Sequence, residues 1–205
     1  MVLNELARWS EMGTRQARYA NGVATRKRII DAALEELKQK GYARASLREV
    51  ANQAGVTPAG VNHYFRTKED LFLEVLRLRD EQHADAETKT HTQPLAELLE
   101  VVADNRREPD LVRLFVAMSA EAVEPGSPAN TWFVARYQTL LGDLENDVRG
   151  YQDRGEIRRD ISASDIASLM VAAADGLQTQ WLLNPTVDMG GRLRTLWLSF
   201  GQPKP

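Results

Sequence analysis

The chain has 205 residues, 43% hydrophobic and 27% charged, with no cysteine and a net charge of −3. That balance belongs to a globular chain of one large domain, or a small domain joined to a larger one, rather than to a disordered chain. The absence of cysteine excludes disulfide scaffolds, thiolate metal sites and cysteine nucleophiles, and it is compatible with a reducing cytoplasm.

Residues 1–24 read as an N-terminal extension. Glu5, Arg8 and Glu11 interrupt Leu3, Leu6 and Trp9, so no signal peptide is expected. A short helix around Leu3–Met12 and then an irregular basic arm are the expectation. The first clear helix runs from about Thr25, as its cap, to Lys40. Ile29, Ile30, Ala33, Leu34 and Leu37 form its apolar stripe, and Gly41 stops it.

A second helix opens at Ser46, with Glu49 at the capping-box spacing, buries Leu47, Val50, Ala51 and Ala54, and ends at Gly55. Thr57 and Pro58 start a short third helix that closes around Tyr64-Phe65. A fourth begins at Thr67 and buries Leu71, Phe72, Val75 and Leu76. After a polar stretch at about 84–93, helices are expected over 94–106, 109–123, 130–154, 162–183 and 190–200. Period-2 apolar runs are missing, so the whole chain reads as all-α.

The string Ser46-Leu47-Arg48-Glu49-Val50-Ala51-Asn52-Gln53-Ala54-Gly55-Val56-Thr57 carries the chemistry. Gly55 permits a sharp turn, Val56 plugs it, and the apolar faces of both helices point inward, which is the plan of a helix-turn-helix. Charge agrees: residues 1–83 hold 14 Lys/Arg against 11 Asp/Glu, whereas residues 84–205 hold 12 against 18. A polyanion would therefore meet the front end.

The stretch Thr25–Leu76 resembles the N-terminal domain of the tetracycline-repressor (TetR) family of bacterial regulators. The matching pieces are Ile29-Ile30-Asp31-Ala32-Ala33, Gly41-Tyr42, Ser46 to Ala51, Ala54-Gly55-Val56, and Tyr64-Phe65-Arg66-Thr67-Lys68-Glu69-Asp70-Leu71-Phe72. The chain departs from the family at Ala59, where glycine is frequent, and at Asn62, where an aromatic is frequent, so base contacts do not carry over as a set. The resemblance implies a three-helix DNA-binding domain over 25–72 and a larger helical domain over 73–205 for effector binding and dimerisation. The expected protein is a homodimeric, ligand-responsive repressor on a palindromic duplex operator. Activation is the alternative sign of regulation.

Thr57, Pro58, Ala59, Gly60, Asn62 and His63 form the face expected in the major groove, with polar reading on Thr57, Asn62 and His63. The resemblance implies phosphate contacts at Tyr64 and Lys68; Ser46, Arg44 and Thr25 are further candidates. Arg15 and Arg18 on the arm are candidates for the minor groove, against an arm packed on its own subunit. In the rear half, Phe115, Met118, Trp132, Phe133 and Tyr137 are candidates for a ligand pocket or plain core. Ala167, Met170, Val171, Ala174, Leu177, Trp181 and Leu182 form a broad apolar face that matches where the family dimerises.

An enzyme is the rival from another class. His63, His83 and His91 are scattered, and no metal-spaced cluster, G-x-S-x-G or phosphate-cradling loop accompanies them, so no catalytic residue, cofactor or metal is expected. A helical protein-interaction module without operator binding is the second rival, and salt-sensitive binding to duplex DNA separates it from the regulator.

Overall fold

The computed structural model describes the backbone of residues 2–87 and 94–201, with side chains from Tyr19 onward in those ranges except 83–87, 94 and 97. Nine α-helices are described: α1 (Val2–Arg44), α2 (Leu47–Ala54), α3 (Pro58–Tyr64), α4 (Lys68–Glu87), α5 (Pro94–Asp104), α6 (Pro109–Glu121), α7 (Pro128–Asp153), α8 (Ala163–Leu183) and α9 (Met189–Ser199). A 3₁₀ turn at Asn105–Arg107 separates α5 from α6. Extended pairing among the described residues is limited to one isolated antiparallel bridge, Ile157 with Gly201. The chain divides into two compact units, Met1–Val75 and Leu76–Pro205, so the division falls inside α4, just beyond the residue 72 inferred from sequence.

In the first unit, α1 overturns the expected start at Thr25. The helix is continuous from Val2, and Thr25 lies inside it, accepting a hydrogen bond from Arg28 Nη2 at 3.3 Å rather than capping an end. The expected irregular arm is therefore helical in its backbone. Gly13 and Gly22 are the weak helix formers before Thr25, each costing about 1 kcal/mol, with no proline to break the ladder. The side chains of Arg15 and Arg18 lie outside the described residues. Gly41 does break α1, at φ 72° and ψ 162°, a conformation open to glycine because it has no Cβ.

Ile29, Ala33, Leu37, Val50, Ala51, Val61, Leu71 and Phe72 fill the core of this unit. Arg26 fastens its edges, pairing with Glu74 at 2.6 Å while its guanidinium lies 5.2 Å over the Phe65 ring. The amphipathic stripe is imperfect: Leu34 and Leu47 are half-buried, whereas Glu36 is 0% exposed. Gln53 Nε2 donates to Glu36 Oε2 at 3.0 Å, and Lys40 Nζ lies 3.0 Å from Oε1 without hydrogen-bond alignment.

In the second unit α8 packs against α5, α6, α7 and α9. This corrects one sequence expectation. Ala167, Met170, Val171, Ala174, Leu177 and Trp181 are each 8% exposed or less, and Leu182 is half-buried against the same core. The face assigned to a partner subunit is occupied by the chain's own helices. A helical period identifies an apolar face, but not what covers it.

Candidate nucleic-acid interface

The turn between α2 and α3 is built by local bonds. Ser46 Oγ accepts from Glu49 N at 3.3 Å and opens α2. Gly55 closes it in the left-handed region at φ 65°, ψ 37°. Its N–H donates to Asn52 O at 3.2 Å, and Val56 N donates to Ala51 O at 3.0 Å. These bonds are the two of a Schellman close, in which a residue with Cβ would be strained. Thr57 then caps α3, its Oγ1 accepting from Gly60 N at 3.0 Å. Thr67 and Asp70 open α4 reciprocally, at 3.0 and 3.1 Å.

On α3, Val61 is 0% exposed and anchors the helix, while Pro58, Ala59, Asn62 and His63 face outward. The Asn62 side chain makes no hydrogen bond among the described residues, so its amide is unspent. The His63 ring is exposed and packs edge-on to Tyr64 at 5.2 Å. Thr57 has committed its oxygen as an acceptor to the cap, and its O–H remains available to donate. Gly60 departs from the expected outer face. A Cβ there would meet Thr57 Oγ1 at 3.3 Å and Val56 Cβ at 3.6 Å, so it points back into the turn.

The phosphate candidates have structural work of their own. Tyr64 is half-buried, and a Cβ on Gly22 of α1 would lie 3.7 Å from its hydroxyl. Lys68 Nζ donates to Ala43 O at 3.3 Å and lies 4.5 Å over the Tyr42 ring, itself packed edge-on against Phe72. An ammonium has three donors, so two remain for a phosphate. Arg44 Nε donates to Lys40 O at 3.2 Å. Arg48 and Arg66 were passed over in the sequence reading. Both are exposed and have no acidic partner among the described residues; their place inside the motif strings was the available signal.

The pattern of bacterial regulatory proteins of the tetR family matches residues 29–75, and that of the C-terminal part of BetI-type transcriptional repressors matches residues 91–200, more than half of the chain. The chain belongs to the TetR family. It is 28% identical over 188 residues to the A-factor receptor protein of Streptomyces griseus, covering 88% of this chain and 64% of that protein. It is also 28% identical over 192 residues to the regulator TtgR of Pseudomonas putida, covering 86% and 89%. A transcriptional regulator of Saccharomonospora viridis solved with choline has the same fold, with a TM-score of 0.70 at 23% identity over 86% of this chain and 96% of that one. As a TetR-family member the protein is a DNA-binding transcriptional regulator.

In this TetR-family chain the rear-unit aromatics come together. Phe133 is the hub, with ring centroids 5.2 Å from Phe115, 4.8 Å from Trp132 and 6.0 Å from Tyr137. Met118 on α6 is fully buried. Trp132 and Tyr137 are half-buried, so part of the cluster reaches its edge. Arg136 lies 5.1 Å over Phe115 and 5.7 Å over Trp132, and its Nε pairs with Asp80 Oδ2 at 2.8 Å. Tyr137 Oη donates to Asp175 Oδ2 at 2.6 Å. The sequence singled out the rings but not Asp175 or Arg136, whose polar types give no sign that they join the cluster until the helices meet. No group of three or more His, Asp or Glu suited to a metal occurs among the described residues, and no described helix is long and apolar enough to cross a membrane.

Proposed function

We propose that the protein is a cytoplasmic, homodimeric, effector-responsive repressor that reads a palindromic operator with α3. The observation that carries this reading is the outer face of α3, where Asn62 and His63 stand exposed with no hydrogen bond spent inside the domain. Asn pairs bidentately with adenine in the major groove, and His63 and the Thr57 O–H add further donors. Pro58 and Ala59 allow close approach. Phosphates are held by Tyr64, Lys68, Ser46, Arg44 and Thr25, joined by Arg48 and Arg66. Repression is supported by the match to BetI-type repressors over residues 91–200.

Two copies place their α3 helices about 34–36 Å apart, in successive major grooves. The face of α8 opposite the core suits this pairing. Leu169 is 50% exposed and Leu183 83%, and Ala172, Gly176 and Thr179 continue the same stripe at alternating spacings of three and four. A Cβ on Gly176 would meet nothing within 4 Å, which leaves room for a second helix. The effector site is the aromatic cluster of Phe115, Met118, Trp132, Phe133 and Tyr137. The relative named a receptor and the neighbour solved with choline support a small-molecule ligand. The ligand shifts operator affinity only by its differential affinity for the two dimer geometries.

Selection of bound sequences from a random duplex pool tests the reading. A palindromic consensus with half-sites one helical turn apart is the expected result. Absence of enrichment, or binding insensitive to salt, refutes operator recognition.

A further inference from the structure

His63 is the group on the outer face of α3 whose hydrogen-bonding character changes with pH. Its ring is exposed, and its side chain makes no hydrogen bond or ion pair among the described residues. The Tyr64 ring packs against it at 5.2 Å and an interplanar angle of 83°. Both ring nitrogens are therefore uncommitted.

The charged groups on the neighbouring elements are engaged elsewhere or make no bond to it. On α1, Arg26 pairs with Glu74. On α2, Arg48 is exposed and Glu49 half-buried, and Arg66 is exposed just after α3. On α4, Lys68 donates to Ala43 O, Asp70 accepts from Thr67 N, and Glu69 is half-buried. The DNA-binding unit thus supplies no carboxylate, among the described residues, to hold a proton on the ring. Duplex DNA supplies anions in quantity, about one negative charge per 1.7 Å of helix axis. Histidine ordinarily titrates near pH ~6.5, and nearby anions favour its charged form.

The two forms of the ring suit different bases. Neutral imidazole has one donor and one acceptor, so it can accept from the amino group of adenine or cytosine. Imidazolium has two donors and no free lone pair. Guanine presents two acceptors, O6 and N7, to the major groove. Asn62, next to His63, already carries the amide that suits adenine.

We propose that His63 binds the operator as imidazolium, taking up one proton per subunit from solvent and donating an N–H to the O6/N7 edge of guanine. The proposal rests on the operator reading above and adds the protonation state and the base. It makes operator affinity fall as pH rises. The ring titrates higher in the complex than in the free protein, so affinity is greatest below the free ring's titration. Affinity is lost between the two titrations and is level above both. A rise of about one unit in the complex corresponds to about tenfold per half-site, and about hundredfold for two copies.

The test uses the full-length protein and a duplex enriched from the random pool, with binding measured from about pH 5.5 to 8.5 at constant ionic strength, a range that brackets histidine. Wild-type affinity should fall ten- to hundredfold across it. His63→Gln, which cannot titrate, should be flat. His63→Arg, a fixed cation, should be flat too and should bind more tightly than wild type at the alkaline end. Calorimetry in two buffers of different ionisation enthalpy should count proton uptake for wild type and none for His63→Gln. The base pair whose preference His63→Gln relaxes should carry guanine, and 7-deazaguanine there should weaken wild-type binding. A flat wild-type profile overturns the proposal. So does an unchanged slope in His63→Gln, which would place the protons elsewhere, His83 and His91 included. A relaxed position without guanine overturns the base assignment, and in each of these cases operator recognition survives. A pool that yields no enriched duplex ends both readings.

Discussion

The two sides of α8 should respond oppositely to the same charge. Ala174 is 2% exposed in the core, so Ala174→Glu places a carboxylate where neither water nor a partner reaches it. The cost is several kcal/mol, on the order of the whole 5–15 kcal/mol stability of a domain, and the variant should lose its cooperative thermal transition. Leu169 on the outer side is 50% exposed in the single chain, so Leu169→Glu should leave the subunit's melting transition nearly unchanged. At a two-fold seam each outer leucine counts twice. Full burial of a leucine is worth about 1.5–3 kcal/mol, so losing the exposed half of Leu169 in both copies removes roughly that amount, and the dimer dissociation constant should rise at least 10- to 100-fold. Desolvation of the introduced carboxylates adds to the effect. Sedimentation equilibrium, circular dichroism and operator binding on the two variants make the comparison. A folded Ala174→Glu protein would refute the assignment of that face to the core. A Leu169→Glu protein that stays dimeric and operator-competent would refute the outer face of α8 as the seam.

Three further outcomes follow from the DNA-binding unit. Asn62→Ala should relax preference at one base pair per half-site by about 1–3 kcal/mol, and competition with single-position operator variants measures it; an unchanged profile moves specificity to DNA shape. Arg48→Ala and Arg66→Ala should each flatten the slope of log K against log salt by about one unit, with little change in melting temperature, because neither side chain has an acidic partner to lose. An unchanged slope removes the residue from the phosphate contacts. For Glu36, replacing the buried carboxylate by leucine should leave stability unchanged or raise it by about 1–4 kcal/mol, whereas Lys40→Met should lower it by about 1–2 kcal/mol, a discounted figure because Lys40 is 41% exposed. Denaturant unfolding reads both, and a Glu36→Leu protein markedly less stable than the parent would refute the argument.

Much of the helix-turn-helix was legible because its determinants are local. A capping side chain reaches a backbone N–H three residues on, so Ser46, Thr57 and Thr67 could be recognised in the string, and the bonds at 3.3, 3.0 and 3.0 Å form as the spacing requires. Gly55 was legible for the same reason, as a close that demands a positive φ at one position. Thr25 looked like a cap by type, but capping also requires that the preceding residues leave the helix, and residues 2–24 do not.

The tertiary structure decided what local pattern leaves open. Periodicity places Ala167 to Trp181 on one face of α8, yet only the packing of α5, α6, α7 and α9 shows that this chain covers it and that Leu169 and Leu183 are left outside. Glu36 reads as a solvated charge until Gln53 of α2 and Lys40 enclose it. Lys68 reads as a free cation until the Ala43 carbonyl, 25 residues back along the chain, accepts from it. Asp175 gains its hydrogen-bond donor only when α7 brings Tyr137 within 2.6 Å of it. A sequence determines which groups share a helix face, because that follows from 3.6 residues per turn; what lies against the face is a property of contacts distant along the chain.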